Sequence, residues 1–254
     1  MNKLLCGVVV LSGLLFMLVP IAPAAAGGYL PDPTPFGPQR THEPDVAGPA
    51  NIDSVVATVR KDGGSARGIE VTLDRHSRTA TGEKPAAARR FVFLFDRSIR
   101  FNSEAFPICT RQVIETRGVA GCPAGSQVGS GRAEFYPQGA ADVAVFNTRY
   151  ANGRRGVLIT IPAIGAILEN TFEPVVWPYT KNFRWGSDEI IPPDATAPQN
   201  RGASTRFLVS FGAARNGRSF VESSAPAGTP LVLGGRSEFV TGQVLTDRGT
   251  AIRP

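Results

Sequence analysis

Five consecutive apolar residues stand between two charged ones in the stretch Arg90-Phe91-Val92-Phe93-Leu94-Phe95-Asp96. A short apolar run that is bounded by charge and rich in aromatic side chains is typical of a strand buried on both faces. We therefore expect residues 90–96 to form a central strand of a β-sheet.

The sequence on either side of this stretch follows the same β pattern. Short segments with partial alternation of apolar and polar residues recur between turn signals, and Asn152-Gly153 and Asn216-Gly217 are strong hairpin signals. About a dozen such segments predict an all-β fold, a β-sandwich or jelly roll, rather than an α/β enzyme. The predicted strands are Asp53–Arg60, Gly68–Asp74, Arg90–Asp96, Ser126–Tyr136, Ala141–Tyr150, Gly156–Ile164, Leu168–Trp177, Ser204–Phe211, Ser219–Ser223, Leu231–Leu233, Ser237–Leu245 and Thr250–Arg253.

One short helix is predicted between two cysteines. Thr110 is a suitable N-cap, residues 111–117 can form about two turns, and Gly118 can end the helix. Cys109 and Cys122 flank this helix, and a pair of cysteines in an exported chain most simply forms a disulfide. We interpret this disulfide as structural, because the spacing is not that of a Cys-x-x-Cys exchange motif.

Residues 1–26 have the pattern of a secretory signal peptide. Lys3 supplies the positive charge, residues 4–19 form an almost unbroken apolar run, and Ala24-Ala25-Ala26 provides small residues before the expected cleavage site. An uncleaved anchor is the alternative, although the run is shorter than the roughly 20 residues that span a bilayer. We therefore expect a secreted protein, extracellular or associated with the cell wall, with no membrane span after the leader is cleaved.

The rest of the chain divides into two parts by composition. Residues 27–50 are rich in Pro and Gly and predict a linker or an arm laid on the domain. Residues 51–254 are expected to form a single β-sandwich domain. The formal net charge is +6, which favours weak attraction to anionic polymers, but acidic residues are interspersed, so we interpret it as ordinary surface charge.

Two segments around the cysteines carry a family resemblance. The first ends in Phe106-Pro107-Ile108-Cys109, and the second reads Cys122-Pro-Ala-Gly-Ser-Gln-Val-Gly-Ser-Gly-Arg-Ala133. The combined motif, Phe-Pro-x-Cys followed by a short helix and Cys-Pro-x-x-Ser-x-Val-Gly-x-Gly, resembles a family of secreted actinobacterial proteins of uncharacterised function. The resemblance implies export, a disulfide and a β-rich domain, and it implies no catalytic residues.

Catalytic and metal-binding patterns are weak. His42 lies in the Pro-rich segment, His76 lies in a polar stretch that reads as a turn, and no Gly-x-Ser-x-Gly elbow occurs. Two scattered histidines cannot build a zinc site, and the acidic stretch Asp188–Asp194 lacks the spacing of a calcium loop. We predict that both histidines lie at the surface and that residues 188–194 form a polar surface connection. We predict no catalytic residues, no metal and no cofactor.

Glu169 and Glu173 are the one carboxylate pair with suggestive spacing. They stand four residues apart on a predicted strand, which places both on one face at roughly 13 Å. That separation exceeds what either class of glycosidase uses. We interpret them as surface carboxylates.

The segment 177–185 concentrates aromatic side chains and contains both tryptophans of the chain. If it is extended, Trp177, Tyr179, Phe183 and Trp185 all project to one side, where an exposed row could stack on sugar rings or on an apolar partner surface. The alternative is that these residues cover the core or close one end of it. Nucleic-acid binding is not expected, because basic residues are sparse and the chain is predicted to be exported.

These patterns together favour a secreted, non-catalytic protein that binds an envelope or extracellular ligand, with carbohydrate or a cell-wall polymer as the first expectation. A carbohydrate-active hydrolase on a jelly-roll scaffold is one alternative. A structural or assembly protein of the cell surface is the other.

Overall fold

The computed structural model describes residues 31–38, 42–190 and 196–254. Fifteen strands and one α-helix, α1 (Arg111–Arg117), lie within these ranges. The strands are β1 Asn51–Arg60, β2 Glu70–Thr79, β3 Ala88–Asp96, β4 Ile99–Phe101, β5 Gln127–Phe135, β6 Ala140–Arg149, β7 Arg155–Ile161, β8 Ala166–Pro174, β9 Phe183–Ile190, β10 Ser204–Phe211, β11 Ala214–Arg215, β12 Arg218–Ser219, β13 Val221–Ser223, β14 Pro230–Phe239 and β15 Val244–Ile252.

Eleven of these strands form one antiparallel sheet. Its order is β1-β2-β10-β5-β6-β7-β8-β9-β3-β14-β15, and the two end strands, β1 and β15, lie side by side. The sheet is therefore barrel-like and nearly closed, with its core inside. Antiparallel pairing and a single short helix confirm the predicted β-rich class.

The predicted division into two packed sheets differs from this arrangement. A β-sandwich or jelly roll has two separate sheets face to face, whereas here one sheet curls until its ends meet. The alternation of apolar and polar residues predicts which side chains point inward. It does not distinguish a curled sheet from a sandwich, because both bury the same alternating residues. The expectation of a sandwich is corrected on this point.

The central strand β3 is buried on both faces, as its composition predicts. Phe91, Phe93 and Phe95 point into the interior core, and the rings of Phe93 and Phe91 are 4.5 Å apart. Val92 and Leu94 point to the outer face, where they pack with Val175, Tyr179 and Phe183 in a second cluster. The outer cluster explains why this one strand needs an apolar residue at every position.

Phenylalanine side chains fill one end of the sheet, which we call the closed end. Strand β4 follows β3 there and pairs with β13. Phe106 packs edge-on against Phe220 with ring centroids 5.4 Å apart, and Phe101 stacks on Phe172 at 3.9 Å. The opposite end, where β5 ends and β10 begins, is called the open end.

The helix and the disulfide agree with the sequence. Thr110 accepts a hydrogen bond from the Val113 amide at 3.3 Å, and α1 ends at Gly118, whose φ is 67°. The Cys109–Cys122 disulfide encloses α1. Cys109 is fully buried beside Ile114 in a small apolar cluster, so the disulfide anchors the helix to the sheet.

Residues 32–254 form one compact unit, which includes part of the predicted Pro/Gly-rich arm. Within it, Asp32 and Thr34 bond to the guanidinium of Arg90 on the outer face of β3, and Thr34 also donates to the buried carboxylate of Asp188. The predicted signal peptide, residues 1–26, lies outside the described residues and remains a prediction. In the described ranges every helix is too short or too polar to cross a membrane.

Candidate functional site

The aromatic segment 177–185 does not form one extended strand. It contains a cis peptide bond between Trp177 and Pro178 and a 3-10 helix, Tyr179–Lys181, before β9 begins at Phe183. Because the backbone turns here, the side chains of the four aromatic residues do not alternate regularly.

The predicted exposed row is therefore wrong for three of its four members. Tyr179 and Phe183 are buried in the outer cluster, and burial raises the pKa of the Tyr179 phenol. Trp185 packs against the interior core. Only Trp177 is strongly exposed, at 70%, with the Lys181 ammonium 5.7 Å from the centre of its ring. The alternative expectation, that the segment covers the core, describes Tyr179, Phe183 and Trp185.

Both histidines reach the surface. His42 is exposed, and the side chain of His76 is 45% exposed with Nε2 3.2 Å from a carboxylate oxygen of Asp74. Hydrogen bonds from Arg206 hold the pKa of Asp74 below its usual value. His76 thus belongs to a surface ion cluster on the outside of the sheet.

Glu169 and Glu173 share the outer face of β8, as their spacing predicts. Glu169 lies 3.8 Å from Arg111, and Glu173 accepts a hydrogen bond from Arg154 at 2.9 Å. Glu173 is buried rather than at the surface as predicted, and burial raises its pKa. Each carboxylate has its own arginine, which is the arrangement of ion pairs rather than of a catalytic pair.

The acidic stretch at residues 188–194 is not simply a surface connection. Asp188 and Glu189 belong to β9 and are both buried. Asp188 points outward and accepts from Arg90 at 2.7 Å, while Glu189 points inward and lines a cavity. The prediction is corrected for these two residues, and residues 191–195 lie outside the described ranges.

That cavity lies at the open end of the sheet and has a volume of about 310 Å³. A volume of this size lies in the range of small-molecule sites, and the mouths of barrel-like sheets are common places for them. The cavity opens beside Ile164, which is 60% exposed. Its large apolar lining residues are Phe91, Phe135, Ile161, Ile164, Leu168 and Phe207.

A buried arginine interrupts this apolar lining. Arg75 lies on β2 with its side chain 5% exposed, and its Nε donates to Asp53 Oδ2 at 2.7 Å. The Asp53 side chain is 3% exposed and also accepts from the Ser237 hydroxyl at 2.6 Å. Phe91 and Phe239 flank the guanidinium, with ring centres 5.3 and 5.7 Å from its carbon. Arg75 is therefore held in one position by an ion pair and two aromatic rings.

The two Nη atoms of Arg75 have fewer hydrogen-bond acceptors within the described chain than Nε has. Nη1 has a long contact of 3.4 Å to the Ser204 hydroxyl. Within the described part of the chain, no acceptor bonds to Nη2. Arginine has five N–H donors, so most of the Nη donors of Arg75 remain for a molecule in the cavity.

The described lining of the cavity contains few chemically reactive side chains. Ser204 is the one described lining residue with a hydroxyl group, and its described contact is with Arg75, a donor that cannot act as a base. Glu189 is the one described lining residue with a carboxyl group, so the lining does not supply the carboxylate pair of a glycosidase. Elsewhere in the described ranges, no group of three or more His, Cys, Asp or Glu residues is placed to hold a metal ion.

Sequence reasoning missed Arg75 because the predicted strand ends at Asp74. The observed β2 continues to Thr79, and its buried residues alternate through Val71, Leu73 and Arg75. Arg75 follows Val71 and Leu73 at a spacing of two, so the alternation of a strand places its side chain on the same inward face. That spacing could have predicted a buried arginine. The surrounding polar residues, Asp74-Arg75-His76-Ser77, favoured the interpretation as a turn.

Comparison with known proteins gives no relative from which a function could be transferred. No family model, curated protein or solved structure is significantly similar to this chain.

Proposed function

We propose that this protein is an exported, non-catalytic binding protein that takes a small, mainly apolar molecule into the cavity at the open end. The observation that carries the proposal is the apolar cavity of about 310 Å³ with the buried guanidinium of Arg75 in its wall. Apolar walls favour an apolar ligand by roughly 25 cal/mol per Å² of surface removed from water. One polar group in such a wall orients the ligand.

The size of the cavity restricts the ligand. At roughly 30 Å³ per water-sized group, about 310 Å³ has room for on the order of ten or more non-hydrogen atoms. A polysaccharide or cell-wall polymer is far larger, and of the aromatic residues that suggested such a ligand, Tyr179 and Phe183 are buried and Trp185 is partly buried. The geometry therefore favours a small apolar molecule over the carbohydrate polymer that the sequence suggested.

Export is supported by two features. The leader-like residues 1–26 come first, and the Cys109–Cys122 disulfide is of a kind that persists in oxidising compartments. The resemblance to secreted actinobacterial proteins points the same way. A ligand met outside the cytoplasm, such as an apolar envelope component, is consistent with this location.

Binding of 1-naphthylamine, a fluorescent probe of eleven non-hydrogen atoms that is uncharged at neutral pH, tests the proposal. We expect fluorescence enhancement with the wild-type protein and loss of at least tenfold in affinity for Gly202→Phe. Gly202 lines the cavity and is exposed, and a Cβ added there would meet no atom within 4 Å. The larger side chain should therefore narrow the mouth without disturbing the core.

The matched control is Ala151→Phe, which adds the same ring at an exposed turn at the other end of the sheet. It should bind 1-naphthylamine as the wild type does. Equal binding by Gly202→Phe and Ala151→Phe, or no binding by the wild type, would refute the proposal.

A further inference from the structure

We infer that the polar end of the ligand is uncharged, an alcohol, ester or ketone oxygen that accepts hydrogen bonds from Arg75, and that a carboxylate is disfavoured. This inference rests on the proposed function, because it assigns the chemical class of the molecule in the same cavity.

The charge of Arg75 is already compensated inside the protein. Its Nε lies 2.7 Å from Asp53 Oδ2, and both side chains are at least nine-tenths buried. A buried ion pair of this kind is nearly neutral as seen from the cavity, since each charge is matched at short range. The ligand therefore does not have to bring a negative charge.

The guanidinium of Arg75, by contrast, has N–H donors that are not used by hydrogen bonds within the described chain. Nη1 has only the 3.4 Å contact to Ser204, and Nη2 bonds to no acceptor in the described chain. A buried donor without a partner is unfavourable. An uncharged oxygen completes these bonds while Asp53 keeps its place beside Nε.

A ligand carboxylate would also approach the Asp53 carboxylate, which accepts from Arg75 Nε at 2.7 Å. Two carboxylates repel each other strongly in an interior where charges are weakly screened. One guanidinium does not compensate both of them.

The test compares three probes with the same carbon chain. Decanol, decanoate and decane compete with 1-naphthylamine for the wild-type protein at pH 8, where a carboxylic acid is fully ionised. We expect decanol to bind at least tenfold more tightly than decanoate, and also more tightly than decane. Decanoate binding as tightly as decanol, or more tightly, would overturn the inference and leave the proposed function standing. No competition by any of the three would remove both.

A charge-changing variant sharpens the test. Asp53→Asn keeps the shape of the side chain but leaves the Arg75 charge uncompensated, so the decanol-to-decanoate affinity ratio should fall by at least tenfold. Asp45→Asn makes the same charge change at an exposed carboxylate that pairs with Arg89 and should leave the ratio unchanged. An unchanged ratio in a folded Asp53→Asn protein would also overturn the inference, and if that variant does not fold, the wild-type comparison decides.

Discussion

The backbone amide of Val55 donates a hydrogen bond of 2.7 Å to the Asp247 carboxylate, and this bond joins the first strand of the sheet to the last. Nearby, the side chain of Gln243 bonds to both the amide and the carbonyl of Asn51, at 2.7 and 3.0 Å. Strands β1 and β15 are the two ends of the sheet order. Side chains of the β14–β15 hairpin thus form the hydrogen bonds between β1 and β15, whereas backbone hydrogen bonds join the other neighbouring strands. We call this junction of β1 and β15 the seam.

Replacing Asp247 tests how much the seam contributes. Asp247→Ala removes the acceptor and leaves the buried Val55 amide unpaired, so we expect the free energy of unfolding to fall by about 1–3 kcal/mol. Asp247→Asn retains an acceptor oxygen and should lose less than half as much. Urea denaturation measures both variants, and equal losses would show that the hydrogen bond is not what closes the seam.

The Arg75–Asp53 pair should be strongly non-additive. Arg75→Leu or Asp53→Leu alone leaves a buried charge uncompensated and is expected to cost about 3–5 kcal/mol. The double variant should cost much less than the sum, because both charges are gone and Asp53 Oδ1 is buried without a hydrogen bond from the described residues even in the wild type. A double-mutant cycle by urea denaturation measures the coupling, and additive losses would contradict the pairing.

The disulfide should contribute about 3 kcal/mol, as expected for a closed loop with a sequence separation of 13. We expect the variant with Cys109→Ser and Cys122→Ser to lose that amount in the free energy of unfolding. Reducing agent should lower the stability of the wild type by a similar amount and leave the serine variant unaffected. Insensitivity of the wild type to full reduction would contradict this expectation.

The phenylalanine cluster at the closed end should dominate core stability. Phe220 is fully buried among aromatic neighbours, and Phe220→Ala is expected to cost about 3–5 kcal/mol. Phe36→Ala is the matched control, because that ring is 71% exposed and should change stability by less than about 0.5 kcal/mol. Thermal and urea unfolding compare the two, and similar losses would refute the packing described for this end.

An acid-sensitive contact holds the segment before β1. Arg201 donates two hydrogen bonds to Glu43, at 2.8 and 2.5 Å, and these bonds hold the pKa of Glu43 below its ordinary value of 4.5. A carboxylate with a lowered folded pKa stabilises the fold above its ordinary pKa, and this stabilisation is lost as the pH falls below 4.5 through the folded value.

We therefore expect Glu43→Gln to be less stable than the wild type at pH 7 and to approach it in stability near pH 3. The exposed Glu83→Gln is the control and should follow the wild type at both pH values. Urea midpoints at the two pH values provide the measurement. A stability difference for Glu43→Gln that persists unchanged in acid would argue against the ion pair.

Local signals in the sequence predict local structure well in this chain. Asn216-Gly217 forms the turn between β11 and β12 with positive φ at both residues, as the dipeptide predicts. Thr110 and Gly118 begin and end the helix as predicted. These features depend on the conformational preferences of a few neighbouring residues, so the sequence contains enough information to place them.

Features that depend on distant strands were not predictable in the same way. Strand β9 was not predicted. A cluster of aromatic residues is compatible with an exposed binding surface and with a buried core, and only the residues that pack against it in space distinguish the two. Tyr179 and Phe183 are buried by Val92 and Leu94, which lie more than eighty positions earlier in the chain. No pattern within residues 177–185 specifies that contact.

The order of residues alone determined that this chain builds antiparallel strands around an apolar interior, with one capped helix between two cysteines, because strand alternation, turns and caps are properties of short segments. Tertiary structure decided that one sheet curls until β1 meets β15, and that Glu189 and the Asp53-paired Arg75 line one cavity. Those three residues come from three different strands, and their side chains are buried together only when the sheet closes.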